Sequence, residues 1–205
     1  SVNSELIEGL NYVRNHPVVI VIILSTLVNG LLGRSFIELL PAVSGLLLMG
    51  GASELAWLTA AAGTGAVLGG LLMSRQAAHV MGLYRLILVA LLGATLLLAT
   101  LNWLDALISL AVVVGLITFT TTIAGTGCQA LTQLLIDPNY HGRVMSLWSM
   151  TMMASPALGA ATNGALAEWA GFVTTFAVAS ALGVLAVLAR YARRRVVSEL
   201  APEAI

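Results

Sequence analysis

Arg34 and Glu38 stand four residues apart inside an apolar run from Val18 to Leu40. Four residues is just over one helical turn, so the two charges share a face and can pair. Ionisable side chains inside an apolar span are costly to bury and point to function by default. A carboxylate there can take up and release a proton, and the guanidinium beside it can set its pKa or gate the outer mouth. The competing reading is positional. Arg34 falls roughly 24 Å along the run and can snorkel to the outer headgroups with Glu38 beside it.

Other polar side chains sit at mid-depth in apolar runs. Asn29 lies roughly 16 Å into the first run, and Thr118 with Thr122 in a later run and Met153 in the next reach similar depths. Together they could line a largely apolar substrate cavity, Asn29 and the threonines supplying hydrogen bonds. The alternative is helix-to-helix bonding, or threonine hydroxyls bonding their own i−4 carbonyls. Met145, Met150, Met152 and Met153 cluster nearby; flexible methionines suit a promiscuous pocket, and equally suit ordinary packing.

Other chemistries find no residues. His16, His79 and His141 fall in connections, so no apolar run holds a histidine for a hydrolase, and no Cys/His spacing suits a metal. There is no lysine to complete a phosphate-cradling loop. We therefore expect no cofactor, no metal and no enzymatic activity. Cys128 is the only cysteine and reads as a small packing residue.

The elements that must position these residues are membrane spans. The chain is 59% hydrophobic and 9% charged, where a soluble domain carries roughly 25% charged residues. A bilayer core of about 30 Å needs about 20 apolar residues. Six runs qualify: Val18–Leu40, Glu54–Met73, Leu83–Leu101, Ala106–Leu135, Val144–Leu166 and Gly171–Ala189. Pro17 suits a first helical turn, Pro41 closes the first run, Ser53 is the expected N-cap of the second, and Asp137-Pro138 stops the fourth. Leu46–Met49 is apolar but too short to span, and is expected at the outer interface.

Eight of the nine arginines lie on one side of this pattern: Arg14, Arg75, Arg85, Arg143, Arg190, Arg193, Arg194 and Arg195. The other three connections carry Glu54, Asp105 and Glu168 instead. Loops rich in Lys/Arg stay in the cytoplasm, which places both termini there. The Arg190–Arg195 cluster reads as a topology anchor that also meets anionic lipid, not as a nucleic-acid site. Before the first run, Leu6, Ile7, Leu10 and Val13 recur at helical spacing. The expected organisation is therefore a cytoplasmic amphipathic linker helix over 1–16, a six-helix bundle over 17–190 and a cytoplasmic tail over 191–205.

Polarity repeats along the runs as polar, polar, apolar, then polar, polar, apolar. The two trios cross in opposite senses, as a 3+3 inverted repeat of a secondary transporter requires. Ala61, Gly65 and Gly69 place small residues at i, i+4 and i+8, and Gly63 and Gly159 join them as expected helix-packing positions. Pro156 is expected to bend the fifth helix.

Several stretches resemble the major facilitator superfamily (MFS), in particular the C-terminal six-helix half in its branch of enterobactin and drug exporters. Residues 8–17, EGLNYVRNHP, resemble the linker entering the seventh helix of that branch. Residues 137–147, DPNYHGRVMSL, resemble its loop between helices ten and eleven, with Asp137, Gly142 and Arg143 as the loop positions. Pro156–Gly159 and Gly164–Gly171 resemble the eleventh helix and the turn after it. The superfamily's loop signature departs here: between runs two and three the chain reads GLLMSRQ from Gly70, without the aspartate. The resemblance implies proton-coupled efflux of small hydrophobic or siderophore-like molecules by alternating access. It implies an N-terminal half of the same transporter as partner, in a bacterial cytoplasmic (inner) membrane. The linker-like start without an initiator Met fits a piece of a longer chain. A free-standing six-helix protein that homodimerises, and a non-transporting scaffold or receptor, are the other readings.

Overall fold

Pro17 begins the first helix, where its missing N–H leaves nothing unsatisfied. The computed structural model describes residues 11–49, 51–76, 79–104 and 106–192. Within these, residues 11–15 are helical and α1 runs Pro17–Glu38. The helix α2, Leu40–Leu48, follows after a break at Leu39, with Pro41 in its first turn and Met49 closing it in the left-handed region. So Pro41 does end the first run, and the apolar stretch after it continues as a short helix. Then come α3 (Ala52–Ser74), α4 (Val80–Thr100), α5 (Leu107–Leu135), α6 (His141–Ala170) and α7 (Phe172–Ala192).

The ends follow from local chemistry. At α3 the N-cap is Gly51, not Ser53. Glu54, at the third helical position, turns back to accept the Gly51 N–H at 2.7 Å and the Ser53 hydroxyl at 2.9 Å. Ser53 thus supports the carboxylate that satisfies the terminus. After α5, the Asp137 carboxylate accepts the Asn139 N–H at 2.8 Å, and this turn starts α6. Between α6 and α7 a single residue, Gly171, reverses the chain at φ +86° and ψ 152°, a conformation open essentially to glycine.

Helices occupy all six predicted runs, and every regular element among the described residues is helical. Four of them, α1, α3, α4 and α5, are long and apolar enough to cross a membrane. The 30-residue α6 is long enough but more polar, and α7 contributes a shorter apolar stretch, Thr174–Ala189. Residues 1–10 of the expected linker helix, Asp105 and the arginines 193–195 lie outside the described residues.

The most extensive contact pairs α3 with α5; α4 packs on both α5 and α7, and α1 lies along α6. Two apolar clusters form the core. One gathers Val21, Tyr84, Ile87, Leu91, Ile123, Cys128 and Leu131. The other gathers Phe36, Leu58, Leu98, Leu110, Val114, Ile117 and Phe176, with Phe36 and Phe176 edge to face at 5.5 Å. Cys128 is fully buried there as a packing residue. The apolar α4 is not merely a lipid-facing helix: Leu83, Tyr84, Ile87 and Leu91 on one face are in the core, while Val89 and Leu96 on the other are exposed.

Candidate functional site

In α1 the segment Asn29–Arg34 is a π turn, whose hydrogen bonds skip five residues, and the Ser35 N–H bonds the Gly30 carbonyl. Such turns hold one residue more than an α turn and recur at functional sites. Two glycines make this one possible, because both flanking helices come very close. A Cβ on Gly30 would collide with the Ser155 hydroxyl of α6, and one on Gly33 would lie 2.6 Å from the Thr121 methyl of α5.

Side-chain amides hold the widened turn. Asn29, 1% exposed, donates from Nδ2 to the Thr121 carbonyl at 3.0 Å. The Leu31 carbonyl accepts the Ser35 hydroxyl at 2.6 Å and Asn163 Nδ2 at 3.2 Å. Asn163 also donates to Ser35 Oγ at 3.1 Å. Before the turn, Trp148 Nε1 donates to Thr26 Oγ1 at 3.1 Å. Buried polar groups need such partners, so α1 is tied to α5 and α6 where its backbone departs from α geometry. Asn29 Oδ1 and Ser155 Oγ, both beside the turn, are buried without a partner.

A pocket of about 160 Å³ opens beside the turn. Arg34, Ile37 and Glu38 of α1 form one wall, and Ala66 of α3 and Met152 of α6 contribute to it. The threonines Thr118, Thr121, Thr122 and Thr126 of α5, with Gly125, form the other. The predicted Arg34, Glu38, Thr118 and Thr122 are therefore brought together. Arg34 and Glu38 are both exposed at the pocket, and no ion pair joins them among the described residues. Asn29 lies behind the wall, committed to a helix-to-helix bond, and the Thr118 hydroxyl bonds its i−4 carbonyl, Val114 O, at 2.8 Å.

Met153 does not line this pocket. It is 80% exposed and outside the pocket, while Met152 lines it; neighbours in a helix point about 100° apart. Gly63 is a correction: a Cβ there would meet nothing within 4 Å, so it packs against no other helix among the described residues. Two residues from Gly65, it faces nearly the opposite way. The other expected packing positions do sit at close approaches. A Cβ on Gly65 would collide with the Gly115 carbonyl, one on Gly69 would lie 2.8 Å from the Phe119 carbonyl, and one on Gly159 would lie 2.5 Å from the Leu31 carbonyl.

Sequence reasoning missed the π turn, Thr121, Thr126 and the amide of Asn163, and named Met152 only as one of a methionine cluster. A signal existed for Thr126: with Thr118 and Thr122 it completes a ladder at i, i+4 and i+8. A larger groove of about 790 Å³ runs between α3 and α5, walled by apolar side chains such as Trp57, Leu68, Ile108 and Phe119.

The predicted loop residues lie elsewhere, against residues 11–16. Tyr12 stacks between His16, at 3.8 Å, and Tyr140, at 4.5 Å. The Asp137 N–H donates to the Tyr12 hydroxyl at 3.3 Å, and the Arg143 guanidinium lies 5.8 Å over the Tyr140 ring. Gly142 faces open space. Among the described residues, no three His, Cys, Asp or Glu side chains gather as metal ligands would.

No curated protein and no solved structure matches the chain. A family model described as transmembrane secretion effector, of the MFS type, matches residues 1–203. With its apolar spanning helices, this is a multi-pass membrane protein, and the chain belongs to that family of MFS transporters.

Proposed function

We propose that this chain is the C-terminal six-helix half of a proton-coupled exporter of small hydrophobic or siderophore-like molecules. On this reading all six long helices cross a bacterial cytoplasmic membrane, both termini are cytoplasmic, and this half rocks against an N-terminal half. The observation that carries it is the pocket itself. Four helices, α1, α3, α5 and α6, converge on one carboxylate, one guanidinium and a ladder of hydroxyls. Membrane proteins keep ionisable groups in such places for substrate or ion pathways.

The packing supports a 3+3 arrangement. Numbering the two trios α1–α3–α4 and α5–α6–α7, the first helix of each lies along the second helix of the other, and the two third helices pack together. An inverted repeat relates just those pairs. Within this reading Glu38 takes up and releases the coupled proton, Arg34 sets its charge environment, and Thr118 and Thr122 meet substrate. Asn29 positions α1 against α5. Asp137, Gly142 and Arg143 shape the cytoplasmic loop on which the linker rests.

The test is made on the native gene product. An immunoblot of source membranes should show a band at about twice the 21.3 kDa of this chain. In a bacterial strain lacking its own exporters, the full-length protein should drive a lipophilic dye out of energised cells, and a protonophore should stop it. Glu38→Gln should abolish proton-driven efflux. A band at 21.3 kDa, or efflux indifferent to Glu38→Gln, would overturn the half-transporter or the coupling assignment respectively.

A further inference from the structure

We propose that the pocket beside the π turn is a head-group site for a primary or secondary ammonium carried on an apolar body. This rests on the transport reading and narrows its substrate. The argument starts from which protons are already used. A hydroxyl has one proton to donate and two lone pairs to accept with. Thr118 gives its proton to Val114 O at 2.8 Å, Thr121 to Thr118 O at 3.2 Å, and Thr126 to Thr122 O at 2.6 Å. Each of these three threonines therefore offers the pocket only lone pairs.

Behind the wall stands one unpartnered acceptor, beside a donor. Asn29 has committed one of its two amide N–H groups to the Thr121 carbonyl, and its Oδ1 is buried without a partner. That oxygen would lie 3.5 Å from a Cβ on Gly33, and Asn29 Nδ2 3.4 Å from one on Gly125, a residue of the pocket wall. The Glu38 carboxylate, when ionised, also only accepts. On the donor side stand Arg34, the Thr122 hydroxyl and, behind the wall, the second N–H of Asn29. The charges of Arg34 and Glu38 cancel formally, so hydrogen-bond sign decides what fits. A ligand rich in N–H and poor in acceptors completes the surface. A carboxylate would face the lone pairs of Thr118, Thr121, Thr126 and Glu38, with donors only at Arg34, Thr122 and, behind the wall, Asn29.

Size sets the rest. The volume of about 160 Å³ is on the order of five water volumes. That is well below the roughly 300–1,000 Å³ of a site enclosing a whole drug-sized ligand. It holds a head group, with Ile37 and Met152 against the first methylenes. The apolar body leaves past the exposed Arg34 and Glu38.

The probes are n-hexylammonium, hexyltrimethylammonium, hexanoate and 1-hexanol, titrated calorimetrically into the purified full-length protein in nanodiscs. Hexylammonium should bind at least about tenfold tighter than each of the others, since hydrogen bonds to charged groups carry that much. Glu38→Gln should weaken it about tenfold, Thr126→Val severalfold, and Arg34→Gln should leave or improve it. A melting curve for each variant checks that it folds. Equal binding of hexyltrimethylammonium would overturn the proposal, because charge without N–H would then suffice. Tighter hexanoate binding, lost with Arg34→Gln, would also overturn it. Intact proton-driven dye efflux without hexylammonium binding sinks the ammonium site alone. The expected binding pattern without movement of any probe in proteoliposomes supports the site and sinks the transport reading.

Discussion

Asn29 of α1 and Thr121 of α5 are joined across the helix interface, Asn29 Nδ2 donating to the Thr121 carbonyl at 3.0 Å where α1 widens into a π turn. The bond links the one irregular stretch of α1 to the wall of the polar pocket. A carbonyl inside a helix already has a backbone partner, so this contact adds to α5 without being needed to satisfy it. The amide of Asn29, by contrast, has no other partner in reach. Asn29→Leu keeps the volume and removes the bond. It should lower stability by about 0.6–1.7 kcal/mol, the range for interhelical hydrogen bonds in membranes. Thermal unfolding of the detergent-solubilised protein reads this, and an unchanged Tm would show that the bond is idle.

The glycines separate into two predicted classes. At Gly65 a Cβ would meet the Gly115 carbonyl, a backbone atom that cannot swing away. Gly65→Ala should therefore force α3 and α5 apart and lower stability by about 1–3 kcal/mol. At Gly63 there is open space. Gly63→Ala should be neutral, or stabilise by up to about 1 kcal/mol through better helix propensity. Paired melting curves of the two variants test the contrast. Equal destabilisation would mean that Gly63 packs against something outside this chain.

What the sequence makes legible depends on how much chain a feature occupies. Six helices were readable because each is a run of about 20 residues bounded by charge, proline or glycine. The π turn was not, because one extra residue in a turn leaves the apolar pattern on either side intact. Only Gly30 and Gly33 hint at it, and glycine has many other uses. Arg34, Glu38, Thr118 and Thr122 stand out in the sequence because charge and hydroxyl interrupt the apolar runs, and the four share one pocket. Met153 falls outside this pocket and Met152 inside it for a rotational reason. Depth along a helix is readable from sequence, but facing needs the partner helix, and one residue of error turns the side chain by about 100°. Ser53 failed differently: a serine beside a glycine is the better cap by type, yet Glu54 reaches back to Gly51 and leaves Ser53 to brace it.

Trp148 offers a direct spectroscopic test of the α1–α6 contact. Its indole N–H donates to Thr26 Oγ1 at 3.1 Å, and the ring is 6% exposed. The Thr26 hydroxyl in turn donates to the Ile22 carbonyl at 3.1 Å. Thr26→Val removes the acceptor and strands the indole donor, which should cost about 1–3 kcal/mol. The other tryptophans described with side chains, Trp57, Trp103 and Trp169, are all exposed. A change in the buried component of tryptophan emission on Thr26→Val therefore reports this contact, and unchanged emission with unchanged Tm would refute it.

Gly171 carries the sharpest backbone prediction. It sits at φ +86° and ψ 152° between α6 and α7, and a Cβ added there would meet nothing within 4 Å. Its N–H bonds the Ala167 carbonyl at 3.0 Å and its carbonyl accepts the Thr175 N–H at 3.1 Å. The conformation thus serves two helix ends at once and cannot relax without breaking one of them. No side chain clashes here, so the effect of substitution isolates backbone strain from packing. Gly171→Ala should lower stability by about 1–3 kcal/mol, the cost of a residue held in this region. Gly142→Ala, also in open space but in the first turn of α6, is the matched control. It should be neutral or mildly stabilising. If the two variants melt together, the one-residue connection is not strained in the way its dihedral angles require.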